Sequence, residues 1–145
     1  KYGTTNENPV IKEQMVEKRA QKLKTFVEKE FNKDFYGYEI INSDAKKFFV
    51  TFWFNRYTLE DYISDKSEYG LVVITVLQPL NPRLKKRLTD NESKIEELTF
   101  VEMNHTWIFQ KLITNECNLK SDSREKKIKN IRKIDLYPIF KEDIK

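Results

Sequence analysis

Along this 145-residue chain the spacing of hydrophobic positions changes once, from a helical period to a strand period. Val16, Ala20, Leu23, Val27 and Phe31 recur at steps of four, three, four and four, and Ile11 and Met15 extend the stripe. Lys12, Glu17, Lys18, Lys22, Lys24 and Glu28 lie largely off it. Asn8 is a good helix cap, and Pro9 suits the first helical position. The pattern predicts an amphipathic helix of about 22 residues ending near Asn32.

Beyond it the period is two. "FYGYEIIN" (35–42) reads as a strand and "NSDAKK" (42–47) as a turn. "FFVTFWFNRY" reads as a second strand, with Phe48, Val50, Phe52 and Phe54 on the face under the helix and Phe49, Thr51 and Trp53 opposite. The acidic stretch 58–70 reads as a loop or short helix. "LVVITVLQP" (71–79) is apolar on both faces and reads as a central strand ended by Pro79 and Pro82. Residues 82–91 suit one or two helical turns. "KIEELTFVEMN" (94–104) and "TWIFQKLITN" (106–115) read as two antiparallel strands joined at Asn104-His105. The tail 121–140 is basic first, with helical character, and then supplies Ile134, Leu136, Ile139 and Phe140 for packing. With no alternation of strands and helices, the expected class is α+β: a long N-terminal helix packed on a curved antiparallel sheet of about four to five strands, with a basic C-terminal extension. Residues 1–8 read as a flexible polar leader and 9–145 as a single domain.

Composition agrees with one folded domain. Ten Phe, seven Tyr and two Trp within 39% hydrophobic residues suffice for a core. A net charge of +4, from 27 basic and 23 acidic residues, permits an anionic partner without requiring one. The Lys, Asn, Ile and Phe bias suggests an AT-rich genome. No apolar run approaches the roughly 20 residues of a membrane-spanning helix. The chain starts at Lys1 and not Met, which suggests removal of an upstream tag or export signal.

The chemistry-bearing residues are sparse. Cys117 is the single cysteine and His105 the single histidine, so a disulfide within the chain is excluded and a metal-ligand set is lacking. A catalytic role would need Cys117 or a serine beside His105, or a buried pair among Glu60, Asp61, Asp65 and Glu68 or among Glu96, Glu97 and Glu102. Three scattered glycines make no phosphate-cradling loop. "FVTF" (49–52) matches the core of an RNA-recognition octet, but Lys46 stands where Gly is needed and Phe48 replaces a small residue. Residues 118–133 carry seven Lys/Arg against Asp122 and Glu125, a candidate surface for phosphates or anionic lipid through Lys126, Lys127, Lys129 and Arg132. A solvated helix face is the plainer account of the same residues.

The helix "PVIKEQMVEKRAQKLKTFVEKEF", followed by "YGYEIIN" and "KKFFVTFWF" behind a short polar leader, resembles small lipoproteins of Gram-positive bacteria, staphylococcal ones in particular. The resemblance covers about residues 8–115 and is one of architecture and composition. It implies a cystatin-like helix-plus-sheet domain, tethered by a lipidated Cys upstream of Lys1 to the extracellular face of the cell membrane. The cystatin inhibitory signature Q-x-V-x-G is absent, so protease inhibition does not carry over. The expectation is a non-enzymatic, cofactor-free interaction domain that binds a protein through Phe49, Trp53, Tyr57, Tyr62 and Tyr69. Alternatives are nucleic-acid or anionic-surface binding through 118–133, a subunit role in an envelope complex, and an enzyme using His105. A cytoplasmic location is the alternative to the cell surface.

Overall fold

The computed structural model describes residues 8–31, 37–90, 94–119, 126–134 and 137–144. The chain forms two compact units, 1–36 and 37–145. In the first, helix α1 (Pro9–Glu30) starts as the sequence predicts: Val10 N donates to the Asn8 side chain at 3.0 Å, and Pro9 occupies the first turn. No residue of α1 is buried, and Ile11, Met15, Val16 and Leu23 of its stripe are exposed. Phe31, just past its end, is buried with its ring edge-on to Phe26 at 5.1 Å. The expected end at Asn32 and the leader 1–7 lie outside the described residues.

The second unit is built on a five-stranded sheet: β1 (Tyr38–Ile41), β2 (Lys47–Phe52), β3 (Tyr69–Ile74), β4 (Glu97–Glu102) and β5 (Lys127–Arg132). Their spatial order is β1-β3-β2-β4-β5. The α+β class, the long N-terminal helix and the five-stranded sheet are as expected. The strand directions are not: β1–β3 is antiparallel, whereas β3–β2, β2–β4 and β4–β5 are parallel. Parallel neighbours need a crossover of about a dozen residues or more, usually helical. The connections 53–68, 75–96 and 103–126 supply it, carrying α2 (Arg56–Ile63), α3 (Pro82–Thr89) and α4 (Ile108–Glu116).

The turn at 42–47 is present, with Ala45 N donating to Asn42 O at 3.2 Å, but β3 sits between the strands it joins, and Asn42 Nδ2 donates to Ser67 O and Tyr69 O at the start of β3. Two sequence readings change. Residues 106–115, read as a strand, form α4: Phe109 and Ile113 fall one helical turn apart on its buried side, while a strand would have set Lys111 on the same face. The basic segment read as helical contributes strand β5 over 127–132; residues 120–125 lie outside the described set.

Both sheet faces of this unit are packed by its own elements. Phe48, Val50, Val72, Ile74, Leu98 and Phe100 meet Leu84 and Leu88 of α3 and Phe109 and Ile113 of α4. Phe49, Leu71, Val73 and Val101 meet Leu59 and Ile63 of α2, with Ile139 and Ile144 of the C-terminal segment. Of the tail residues expected to pack, Ile139 is buried, Ile134 and Phe140 are exposed, and Leu136 lies outside the described residues. α2 thus lies on one face and α3 and α4 on the other, so the four parallel strands follow a doubly wound path that reverses between β2 and β4.

Gly70 is set by this packing. It stands opposite Phe48 in the β2–β3 register, and a Cβ there would come within 2.4 Å of the Phe48 ring and 2.8 Å of Asn42 O. Gly70→Ala should therefore lower stability by about 1–3 kcal/mol, the usual cost of overpacking. Urea unfolding followed by far-UV circular dichroism checks this; an unchanged midpoint would show that the ring can yield without loss.

Candidate functional site

Open parallel sheets place ligands outside the carboxyl ends of their strands, where the strand order reverses. Here that point lies beyond Phe52 of β2 and Glu102 of β4, and a crevice of about 480 Å³ occupies it. Its walls are Phe52, Phe54, Leu77, Met103, Phe109 and Leu112, with Ile108 at the mouth. Phe52 approaches Phe109 at 6.5 Å between ring centres. The volume falls within the range of about 300–1,000 Å³ usual for small-molecule sites.

β2 stops at Phe52 and turns through a 3-10 segment (Trp53–Asn55) directly into α2. That turn ends the alternation of faces expected through Phe54. Phe48 and Val50 pack in the core, but Phe52, Trp53, Phe54 and Tyr57 are exposed, Phe54 at 68% and Tyr57 at 77%. Ile108, at the start of α4, is 65% exposed. Trp107 adopts φ 55°, ψ 38°, a left-handed conformation uncommon for a bulky side chain, and the Arg132 guanidinium lies 5.2 Å above its ring. Backbone strain of this kind clusters at sites of function.

The floor is polar. Glu102, 4% exposed, accepts hydrogen bonds from Phe109 N at 3.1 Å, from Gln110 N at 3.4 Å and from Asn104 Nδ2. Its carboxylate therefore occupies the amino end of α4, where the free N–H groups and the helix dipole favour an anion. In many α/β proteins a bound phosphate takes such a position; in this one a side chain of the chain does. Asn104 Oδ1 in turn accepts from Thr106 N and Ile108 N, both at 3.2 Å. Asn55, 6% exposed, donates from Nδ2 to Thr51 Oγ1 at 3.3 Å and to Val101 O at 3.5 Å. Thr51 Oγ1 itself donates to Val101 O at 2.9 Å.

The nominated residues divide. Trp53 and Tyr57 are exposed and lie within three residues in sequence of Phe54, which lines the crevice. Phe49 is buried, stacked on Tyr69 at 5.4 Å and edge-on to Tyr62 at 5.6 Å, and both tyrosines are half-buried. These three form an aromatic cluster between the sheet and α2, which carries Tyr62, so the expected open aromatic face does not extend to Phe49. The reason is register: Phe49 pairs with Leu71 on the face that α2 covers.

The basic set divides as well. Lys126 is buried, and its Nζ donates to Leu88 O at 2.9 Å and Asp90 O at 2.7 Å, closing the carboxyl end of α3. Lys127 and Lys129 project from one face of the strand, with Lys129 paired to Glu97 at 2.8 Å. Arg132, of opposite parity, reaches His105 O at 2.6 Å. A strand separates side chains that a helix would have gathered.

His105 is exposed at the turn before α4, and Cys117 is buried just after it. The nine residues of α4, about 13 Å of helix, lie between them, so they form no nucleophile–base pair. Five of the carboxylates considered for acid–base work are ion-paired: Glu60 with Arg56, Asp61 with Lys141, Asp65 with Lys66, Glu96 with Lys46 and Glu97 with Lys129, at 2.5–3.0 Å. Among the described residues, no group of three or more His, Cys, Asp or Glu is placed to hold a metal ion. No helix among them is long and apolar enough to cross a membrane.

No protein-family model matches the chain, and neither does any curated protein. Solved structures do. One is the 2-oxoglutarate:ferredoxin oxidoreductase from Magnetococcus marinus, with 2-oxoglutarate, coenzyme A and succinyl-CoA bound. It is similar over 98% of this chain and 23% of its own, with a TM-score of 0.67 and 15% identity. The likeness is one of fold, and the chain spans about a quarter of that protein's length.

Three outcomes follow from these placements. Glu102→Gln removes the charge from the bonds to α4 and should cost about 1–3 kcal/mol of stability, read from a denaturant midpoint; no change would mean that the carboxylate does not hold the helix start. Burial pushes the Cys117 thiol up to about 11, against about 9 when unfolded. Iodoacetamide at pH 8 should therefore leave the native thiol intact and modify it only after urea unfolding. The same shift should erode stability as pH rises from about 9 to about 11.

Proposed function

We propose that the chain is a non-enzymatic interaction domain that binds a protein partner across the carboxyl end of its sheet. The observation that carries this reading is the exposed apolar lip of Phe52, Phe54 and Ile108 around an apolar crevice, flanked in sequence by Trp53, Tyr57 and Trp107. Contiguous exposed apolar residues mark interaction sites, and buried aromatics supply much of the energy at protein interfaces. The engagement of Glu102 and Asn104 in internal hydrogen bonds favours binding over proton transfer at this site. In the same proposal the domain works at the extracellular face of a Gram-positive cell membrane, as the lipoprotein resemblance implies, alone or as a subunit of an envelope complex.

The test is retention of envelope proteins of the source organism on the immobilised chain, followed by affinity measurement for the protein retained. Trp53→Ala with Phe54→Ala should weaken binding by about thirtyfold or more at unchanged melting temperature, the effect of losing one strong anchor. Lys127→Ala with Lys129→Ala should leave it within about twofold, since both lie in the first half of β5, away from the crevice at the carboxyl end of the sheet. Equal retention by the Trp53/Phe54 variant and the parent overturns the reading.

A further inference from the structure

We infer that the crevice seats one anchoring side chain of the partner: an aromatic ring bearing an N–H or O–H donor, in a segment without a neighbouring acidic group. The inference rests on the partner-binding reading and adds the chemistry of the anchor.

The first support is space. An apolar cavity of about 150 Å³ accepts benzene, so a crevice of about 480 Å³ has room for a two-ring side chain with part of its backbone. Phe52, Leu77, Phe109 and Leu112 give it apolar walls.

The second is an unused acceptor. Asn55 lines the crevice and is more than nine-tenths buried, and its Nδ2 is directed to Thr51 Oγ1 and Val101 O. Val101 O can only accept, which fixes the amide with Nδ2 toward it and leaves Oδ1 as the other end. Among the described residues nothing donates to Oδ1. Oδ1 is not a fully buried unpaired atom and is open to water at the crevice wall. A ligand that displaces this water gains if its own N–H or O–H replaces the hydrogen bond and loses if it has none. A phenylalanine or leucine anchor would fill the space but leave the oxygen unpaired.

The third is charge. Glu102 is on the same floor, held by three N–H donors and by no cation among the described residues. Its carboxylate opposes a second anion brought into a water-poor crevice, and it tolerates a neutral or cationic group. The site therefore discriminates on two counts, a donor preferred over none and a cation preferred over an anion.

The experiment is a methyl NMR titration of the whole chain with four probes: indole, 1-methylindole, tryptamine and indole-3-acetate. Indole should shift Met103, Ile108 and Leu112 methyl signals saturably. 1-Methylindole, which lacks the N–H, should bind about three- to tenfold more weakly, the effect of one neutral hydrogen bond. Indole-3-acetate should bind at least about tenfold more weakly than tryptamine. In Asn55→Ala the difference between indole and 1-methylindole should vanish; should that variant fail to fold, the probe series on the parent chain decides alone. Equal affinities of indole and 1-methylindole, equal affinities of the two charged probes, or shifts that avoid all three methyl groups overturn the inference. The probes report on the crevice and partner retention on the lip. A flat probe series with retention still dependent on Trp53 and Phe54 defeats the anchor alone; the converse defeats the partner reading, and the anchor with it, and leaves only the crevice's preference for a donor.

Discussion

Everything in the larger unit depends on the parallel pairing of β2 with both neighbours. Lys47 to Phe52 is matched residue for residue against Tyr69 to Ile74, and Lys47 to Thr51 against Glu97 to Val101. Two parallel partners cannot be reached by tight turns, so the chain must cross the sheet by helices. From β2 it goes first to one side and then to the other, which puts α2 on one face and α3 and α4 on the opposite face. The crossovers leave β2 and β4 in opposite directions, and the gap between them at the carboxyl end is the crevice. Its place is a consequence of strand order before it is a matter of particular side chains.

Residue 52 divides the aromatic run. Phe48, Phe49 and Val50 are held by the ladder between two interior strands and must be buried, because both faces there are covered. Past Phe52 the chain turns into α2, the alternation ends, and the next aromatics emerge at the rim of the sheet. Side chains of one chemical type, adjacent in sequence, thus serve the core on one side of the turn and the surface on the other. Gly70 makes room for the first set by lacking a Cβ where the Phe48 ring lies.

Polar groups near the crevice follow one economy: most are used to hold the backbone. Glu102 takes the amino end of α4, Asn104 caps the turn that precedes it, and Thr51 with Asn55 ties the end of β2 to Val101 O. Lys126 does the corresponding work at the carboxyl end of α3. The charges that a reader of the chain would assign to solvent or to a partner are in several cases structural. Asn55 Oδ1 stands apart because it accepts from nothing described.

Much was legible from the linear pattern alone. The start of α1 at Asn8-Pro9, the strands at 38–41, 47–52, 69–74 and 97–102, and the helical turns from Pro82 depend on local period, caps and breakers, which are properties of neighbours in sequence. What local pattern could not decide was direction and partnership. An apolar six-residue strand looks the same in a parallel or antiparallel sheet. "TWIFQKLITN" satisfies a strand template and a helix template alike until the sheet edge is known, although the 109, 112, 113 and 117 spacing already favoured a helix. The exposure of the α1 stripe, the burial of Phe49 and Lys126, the separation of His105 from Cys117 and the convergence of Phe54, Asn55, Glu102 and Ile108 all depend on residues far apart in sequence. Only tertiary structure decides them, because burial and convergence are properties of what the rest of the chain brings close, and that is set by the order in which the strands pair.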